Sequence, residues 1–60
     1  MNGERIETCR KALGWSRDTL ARKLSVTPMS VWKWEHNKCT PHAHLAEAMR
    51  QLFFTNGLKL

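Results

Sequence analysis

The sequence has 60 residues, with ten lysines and arginines against five aspartates and glutamates, so its formal net charge is +5. A chain this short forms one domain at most, and its core is marginal because folding buries only about 60% of the unfolded surface. Two cysteines, Cys9 and Cys39, allow a single disulfide, which excludes a disulfide-stapled fold, and we expect both to be free, buried thiols. The positive charge indicates nucleic acid as the first partner to consider.

Other classes are excluded by what the sequence lacks. No apolar run approaches the roughly 18 residues of a membrane span, and the first residues carry no apolar signal-peptide core, so we expect a soluble, cytoplasmic protein. No nucleophile is paired with a base, and no glycine-rich loop is present to cradle a phosphate, so we predict no enzyme, cofactor or small-molecule substrate. No metal site is predicted, because His36, Cys39, His42 and His44 do not follow each other at the spacing of zinc ligands.

Apolar residues recur at helical spacing in four segments, and no segment alternates as a strand would. The first helix is predicted from about Glu4 to Leu13, with Gly14 positioned to close it in the left-handed conformation. The second is predicted from about Arg17 to Leu24, and it begins after Ser16, whose hydroxyl is a good N-cap.

The third helix is predicted from Thr27 to about His36, because Thr27 is an N-cap and Pro28 suits the first helical position. Asn37 tolerates the left-handed conformation that would end it. The fourth begins after Pro41, near His42 or Ala43, and fades around Phe54. These segments predict a single all-α domain over residues 1–60 with four helices, or five if the tail 54–60 forms a further short one.

Only three residues, 25–27, separate the second and third helices, and so tight a connection is typical of a helix-turn-helix. The runs ALGWSRDTLARKLSVT (12–27) and VWKWEHNK (31–38), followed by Pro41, resemble the Cro/repressor-type (Xre-type, lambda repressor-like) helix-turn-helix family. The resemblance covers about residues 4 to 53. It is specific because spacing, caps, turn and the Trp34-Glu35 pair agree together.

The resemblance implies a helical domain that binds operator DNA, usually as a symmetric dimer, with its helix-turn-helix at about residues 17–36. Carried over by position, the base-reading candidates are Pro28, Met29, Trp32 and Lys33. The candidates for DNA backbone contacts are Ser16, Arg17, Thr27, Lys38, Thr40 and His42. The family also often pairs an arginine of the first helix with the glutamate of the Trp-Glu motif, here Arg10 with Glu35.

Three departures from the family pattern bear on this interpretation. Ser25 replaces the usual glycine of the turn, which costs roughly 1 kcal/mol if the residue is left-handed, whereas Asn37 in place of glycine is benign. Pro28 and Met29 replace polar reading residues, so they offer no bidentate hydrogen bonds and would only contact a thymine methyl. Lys33 is then the strong donor, with guanine as its target, and DNA shape would carry more of the specificity.

Some side chains have two readings that the sequence leaves open. Trp32 lies on the DNA or packs against the fourth helix or a partner chain, whereas Trp34 is predicted in the core because it follows Val31 by three residues. The sequence also leaves open whether Lys11, Arg22 and Lys23 are solvated surface charges or contacts to DNA phosphates. The tail either completes the core or forms an isologous dimer interface, which we favour for Phe53, Phe54, Leu58 and Leu60.

The function expected from the resemblance is sequence-specific binding of double-stranded DNA by a small, nucleoid-associated transcriptional regulator. It would act as a homodimeric repressor that occupies its operator, a type of regulator common in phages and mobile elements. One alternative is a protein-interaction module, antitoxin-like or anti-repressor, that reuses the fold. The other is non-specific nucleoid binding.

Overall fold

Four α-helices make up the computed structural model, which describes residues 2–58. They are α1 (Gly3–Ala12), α2 (Arg17–Leu24), α3 (Pro28–Glu35) and α4 (Ala43–Thr55), and no strand occurs within that range. The Cα radius of gyration is 10.1 Å, which matches the roughly 10 Å expected for a compact chain of this length. The all-α prediction is confirmed for the described residues, and a fifth helix is absent from them.

Side-chain caps start the first three helices, because the first N–H groups of a helix have no partner inside it. The caps are Asn2 Oδ1 accepting from Arg5 N at 2.8 Å, Ser16 Oγ accepting from Thr19 N at 3.1 Å and Thr27 Oγ1 accepting from Ser30 N at 3.2 Å. α1 therefore begins one residue earlier than predicted. α4 has no side-chain cap at His42.

All four helices end in the same way. A left-handed residue follows each helix, and the next residue donates its N–H to a carbonyl five positions back, which is a Schellman motif. The left-handed residues are Gly14, Ser25, Asn37 and Gly57, and the donors after them are Trp15, Val26, Lys38 and Leu58. Ser25 has φ 59° and ψ 41°, so the strained conformation considered from the sequence is the one it adopts. Three of the four donors are apolar and pack against the core, Lys38 being the exception.

The core is assembled from all four helices. Its buried apolar side chains are Ile6, Cys9, Leu20, Ala21, Val31, Trp34, Met49 and Phe53. Trp34 is 6% exposed, which confirms its predicted place in the core. α3 contacts both α1 and α2, so it is held from two sides. None of the described helices combines the length and apolar character that crossing a bilayer would need.

Gly3 allows the start of α1 to approach the end of α3 closely. A Cβ atom at this position would lie 2.5 Å from the Glu35 carbonyl oxygen and 2.7 Å from its carbonyl carbon. The Gly3 N–H also donates to Asn37 Oδ1 at 3.2 Å. This contact was not predicted, because it joins residues more than 30 positions apart.

The tail prediction needs a correction at Phe53. This side chain is fully buried within its own chain, so it belongs to the core and is not available to a dimer partner. The period of α4 explains this, since Phe53 lies four residues after Met49 and eight after Leu45, on the inward face. Leu58 also packs against the core, because the Schellman turn folds it back over Phe53. Leu60 lies outside the described residues.

Candidate functional site

α3 has a buried face and an exposed face. Val31, Trp34 and Glu35 point inward and are less than one tenth exposed. On the other side, Met29 is 58% exposed and Trp32 is 36% exposed, although both are large apolar side chains. We call Pro28, Met29, Trp32 and Lys33 the outer face of α3, and all four are exposed. The outer face is thus held in a fixed orientation by the core contacts of the opposite face.

A shallow depression of about 330 Å³ opens beside the outer face. It is lined by Pro28, Met29 and Trp32 from α3 and by Arg17 from the start of α2. Three of the four base-reading candidates therefore meet one of the backbone candidates in a single surface feature. Lys33 does not line the depression, but it shares the helix face because it follows Met29 by four residues.

Trp32 is held against its own helix. Its indole stacks on the imidazole of His36 with ring centroids 4.1 Å apart and an interplanar angle of 19°. His36 Nδ1 donates to the Trp32 carbonyl at 2.9 Å, which fixes the imidazole in this position. The indole is therefore a partly exposed wall of the depression, with one side covered by the imidazole.

A buried carboxylate joins three helices. Arg10 Nε of α1 donates to Glu35 Oε2 at 2.6 Å, which is the pair that the family resemblance implies. Arg17 Nε of α2 donates to Glu35 Oε1 at 2.8 Å. The Glu35 side chain has no exposed surface, so the two guanidinium groups replace its water shell. Among the described residues, no buried side-chain nitrogen or oxygen lacks a hydrogen-bond partner.

The network extends to the surface through Glu7. Arg17 Nη2 lies 3.8 Å from Glu7 Oε2, and Lys11 Nζ lies 3.6 Å from the same oxygen. Arg17 was predicted as a phosphate contact, and its side chain is 37% exposed, but two carboxylates already hold it. Glu7 was missed from the sequence, where only its spacing of four residues from Lys11 indicated an ion pair.

The other backbone candidates divide into two groups. Ser16 and Thr27 are exposed at the starts of α2 and α3, and both hydroxyls serve as caps. Lys38, Thr40 and His42 are exposed in the segment between α3 and α4. The structure therefore places these candidates at the starts of α2 and α3 and in the segment that follows α3. Lys11, Arg22 and Lys23 are exposed charges, and Lys23 Nζ lies 5.0 Å from the centroid of the Trp15 ring.

The two cysteines differ in exposure. Cys9 is buried in the core, and this burial raises the pKa of its thiol above the ordinary value, with a smaller opposing effect from the charge of Arg5. Cys39 is exposed, so the prediction of a buried thiol is wrong there. Within residues 2–58, no group of three or more histidine, cysteine or acidic side chains is arranged to hold a metal ion.

The site is thus an exposed, largely apolar helix face with cations beside it. Its orientation depends on the buried Glu35 and on two arginines from the neighbouring helices. Comparisons of the chain with protein families, with curated proteins and with solved structures found no match.

Proposed function

We propose that this chain binds double-stranded DNA sequence-specifically, as a small transcriptional repressor that occupies its operator. The observation that carries the proposal is the outer face of α3, which is exposed while the opposite face of the same helix is buried. α2 and α3 contact each other across a three-residue connection. This arrangement supports a lambda repressor-like helix-turn-helix, in which the second helix of the pair enters the major groove.

The dimensions of α3 suit this role. Eight residues at 1.5 Å each make a helix about 12 Å long, which spans three to four base pairs. The major groove is about 12 Å wide and admits one α-helix. Lys33 on the outer face is the side chain that offers a charged donor to guanine, and the remaining outer-face residues offer apolar contact.

The charge of the chain suits a duplex. A net charge of +5 on so small a body attracts the phosphate backbone from a distance. The phosphate contacts we propose come from the starts of α2 and α3 and from the segment after α3, namely Ser16, Arg17, Thr27, Lys38, Thr40 and His42. Contacts on both sides of a helix would fix its register in the groove, whereas base contacts along it would select the sequence.

The test is selection of bound duplexes from random DNA, followed by a salt titration on the selected site. A specific regulator is expected to prefer that site over random DNA by at least about a thousandfold. The plot of log K against log salt is expected to fall with a slope of roughly −0.9 for each phosphate contacted. A flat salt response, or no enriched sequence, contradicts the proposal, and binding without preference indicates non-specific nucleoid binding instead.

A protein-interaction module is the second candidate, and the chemistry of Pro28 and Met29 favours it. Neither side chain donates a hydrogen bond to a base, and exposed apolar side chains often mark protein interfaces. The same titration separates the candidates, since an interface formed mainly by apolar contacts would respond weakly to salt.

We further propose that the repressor acts as a homodimer through α4 and the tail. Because Phe53 is buried in the core, Phe54 is the large apolar side chain of α4 that a partner could contact, and it is 68% exposed. The molar mass from light scattering is expected to be that of a dimer, and Phe54→Gln is expected to shift it toward the monomer. Half-sites one helical turn apart, about 34 Å, would be the mark of the dimer on DNA.

A further inference from the structure

We propose that the depression beside α3 reads the 5-methyl group of a pyrimidine, so that the protein recognises thymine or 5-methylcytosine in the major groove. This inference rests on the proposed DNA binding and specifies which base feature the outer face of α3 takes. Pro28, Met29 and Trp32 form the apolar part of the depression, and Arg17 lies at its side.

The chemistry of the lining limits which part of a base edge fits. Base edges in the major groove present nitrogen and oxygen acceptors, amino donors and, on thymine, one methyl group. An acceptor or donor placed against Pro28 and Met29 would lose its hydrogen bond to water without gaining another, which is costly. A methyl group loses nothing and gains from leaving water.

The one polar side chain of the lining does not change this conclusion. Arg17 gives its Nε–H to the buried Glu35 at 2.8 Å, and its Nη2 lies near Glu7. Its charge lies at the edge of the depression, next to where the phosphates of a bound duplex would pass. A cation beside an apolar floor is complementary to DNA, whereas an apolar peptide would bring no negative charge to match it.

The shape of the lining also suits a small, apolar target. The indole of Trp32 is held in place by its stacking on His36 at 4.1 Å. Met29 is an unbranched, polarizable side chain, and such side chains adjust to fill irregular space around a bound group. A flat aromatic wall and an adaptable thioether wall are well suited to enclosing a single methyl group.

The experiment replaces each thymine of the selected duplex, one at a time, by uracil. This removes the 5-methyl group and leaves every hydrogen-bonding group of the base unchanged. For the wild-type protein we expect a loss of about fourfold in affinity at one or two positions, the factor that follows from burying one methyl group. Replacing uracil at such a position by 5-methylcytosine, with guanine opposite, is expected to restore part of the affinity.

Two variants assign the effect to the depression. Met29→Gln keeps the length of the side chain but adds an amide, and it is expected to bring the thymine-to-uracil affinity ratio close to one. Because Met29 is 58% exposed, this variant is expected to melt like the wild type. The control is Ala12→Gln, which adds an amide at an exposed position of α1 outside the depression and is expected to keep the wild-type ratio.

The inference is overturned if specific, salt-dependent DNA binding persists while every uracil substitution changes the affinity by less than twofold. It is also overturned if Met29→Gln keeps the full thymine-to-uracil ratio. In both cases the proposed DNA binding stands. If no duplex is enriched at all, the proposed function fails first, and the methyl reading fails with it.

Discussion

α2 and α3 are closely matched helices that are held in the fold by different contacts. Each has eight residues, starts with a hydroxyl cap and ends in a Schellman motif on a residue other than glycine. The outward side chains of α2 are mostly charged, with Arg22 and Asp18 paired at 3.5 Å on the surface. The outer face of α3 is mostly apolar, and its anchoring charge, Glu35, is buried.

This difference suggests how the two helices divide their roles. α2 gives one arginine, Arg17, to the buried carboxylate of α3, whereas its pair between Arg22 and Asp18 lies on the surface. α3 is held by long-range contacts, because the Glu35 carboxylate binds arginines of both α1 and α2. Buried ion pairs restrict orientation more than surface pairs do, which suits a helix that must present its outer face in one direction.

The largest expected effect comes from removing the anchor of α3. Glu35→Ala leaves Arg10 buried without its carboxylate, so we expect the free energy of unfolding to fall by about 3–5 kcal/mol. That is much of the roughly 3–9 kcal/mol expected for a chain of this size. The loss is measured by urea denaturation of the wild type and the variant, monitored by circular dichroism.

The matched control lies on α2. Arg22→Ala breaks the exposed pair with Asp18, and we expect no measurable change in stability because exposed ion pairs contribute little. Equal denaturation midpoints for Glu35→Ala and Arg22→Ala would remove the distinction between the two helices.

The second prediction compares the two helices on DNA. Lys33→Ala in α3 is expected to relax the preference at one base position by about 1–3 kcal/mol. Arg17→Ala in α2 is expected to weaken all sequences alike and to reduce the salt slope by about one. Competition binding with single-base variants of the selected site measures both effects at a temperature where the variants are folded. Unchanged base preferences in Lys33→Ala would exclude its base-reading role.

The third prediction concerns the ends of the two helices. Ser25→Gly relieves a left-handed serine after α2, so we expect a gain of about 1 kcal/mol and a melting temperature higher by about 4–8 °C. Asn37→Gly after α3 is expected to give no gain, since asparagine tolerates this conformation and its Oδ1 accepts from Gly3 N at 3.2 Å. Thermal melts of both variants measure the two gains in stability. An equal gain in both would mean that the hydrogen bond from Gly3 to Asn37 contributes nothing to stability.

The smallest expected effect is an increase in DNA affinity. Glu7 lies 3.8 Å from Arg17 Nη2 and competes with a phosphate for it, so Glu7→Gln is expected to tighten binding by no more than about fivefold. Glu4→Gln is the control, because it changes the net charge equally from an exposed position on the same helix. If the two variants bind DNA equally well, the gain comes from net charge and not from release of Arg17.

Much of the fold was predictable because its determinants are local. Apolar residues at helical spacing, the caps Ser16 and Thr27 and the closing residues Gly14 and Asn37 act within a few positions, so they can be read directly. The predicted span of the third helix, residues 27–36, is the observed α3 together with its two caps. Residues 25–27 are likewise the observed connection between α2 and α3.

The predictions failed where the burial of a side chain depends on the phase of its helix, or where a contact joins residues far apart in the chain. Phe53 and Phe54 are adjacent and equally apolar, yet Phe53 is fully buried and Phe54 is 68% exposed. The four-residue spacing from Leu45 through Met49 to Phe53 indicates that Phe53 is the one that faces inward. Gly3 and the link from Arg17 to Glu35 gave no local signal, because their partners lie far along the chain.

The sequence by itself therefore determined the number, extent and order of the helices and the side chains that α3 exposes. The tertiary structure alone decided how α3 is held: Glu35 between two arginines, Gly3 against its last turn, and Arg17 at the edge of the depression. The physical reason is that a helix start, period and end depend on neighbours within one or two turns. Buried charges and close backbone approaches depend on which distant elements packing brings together.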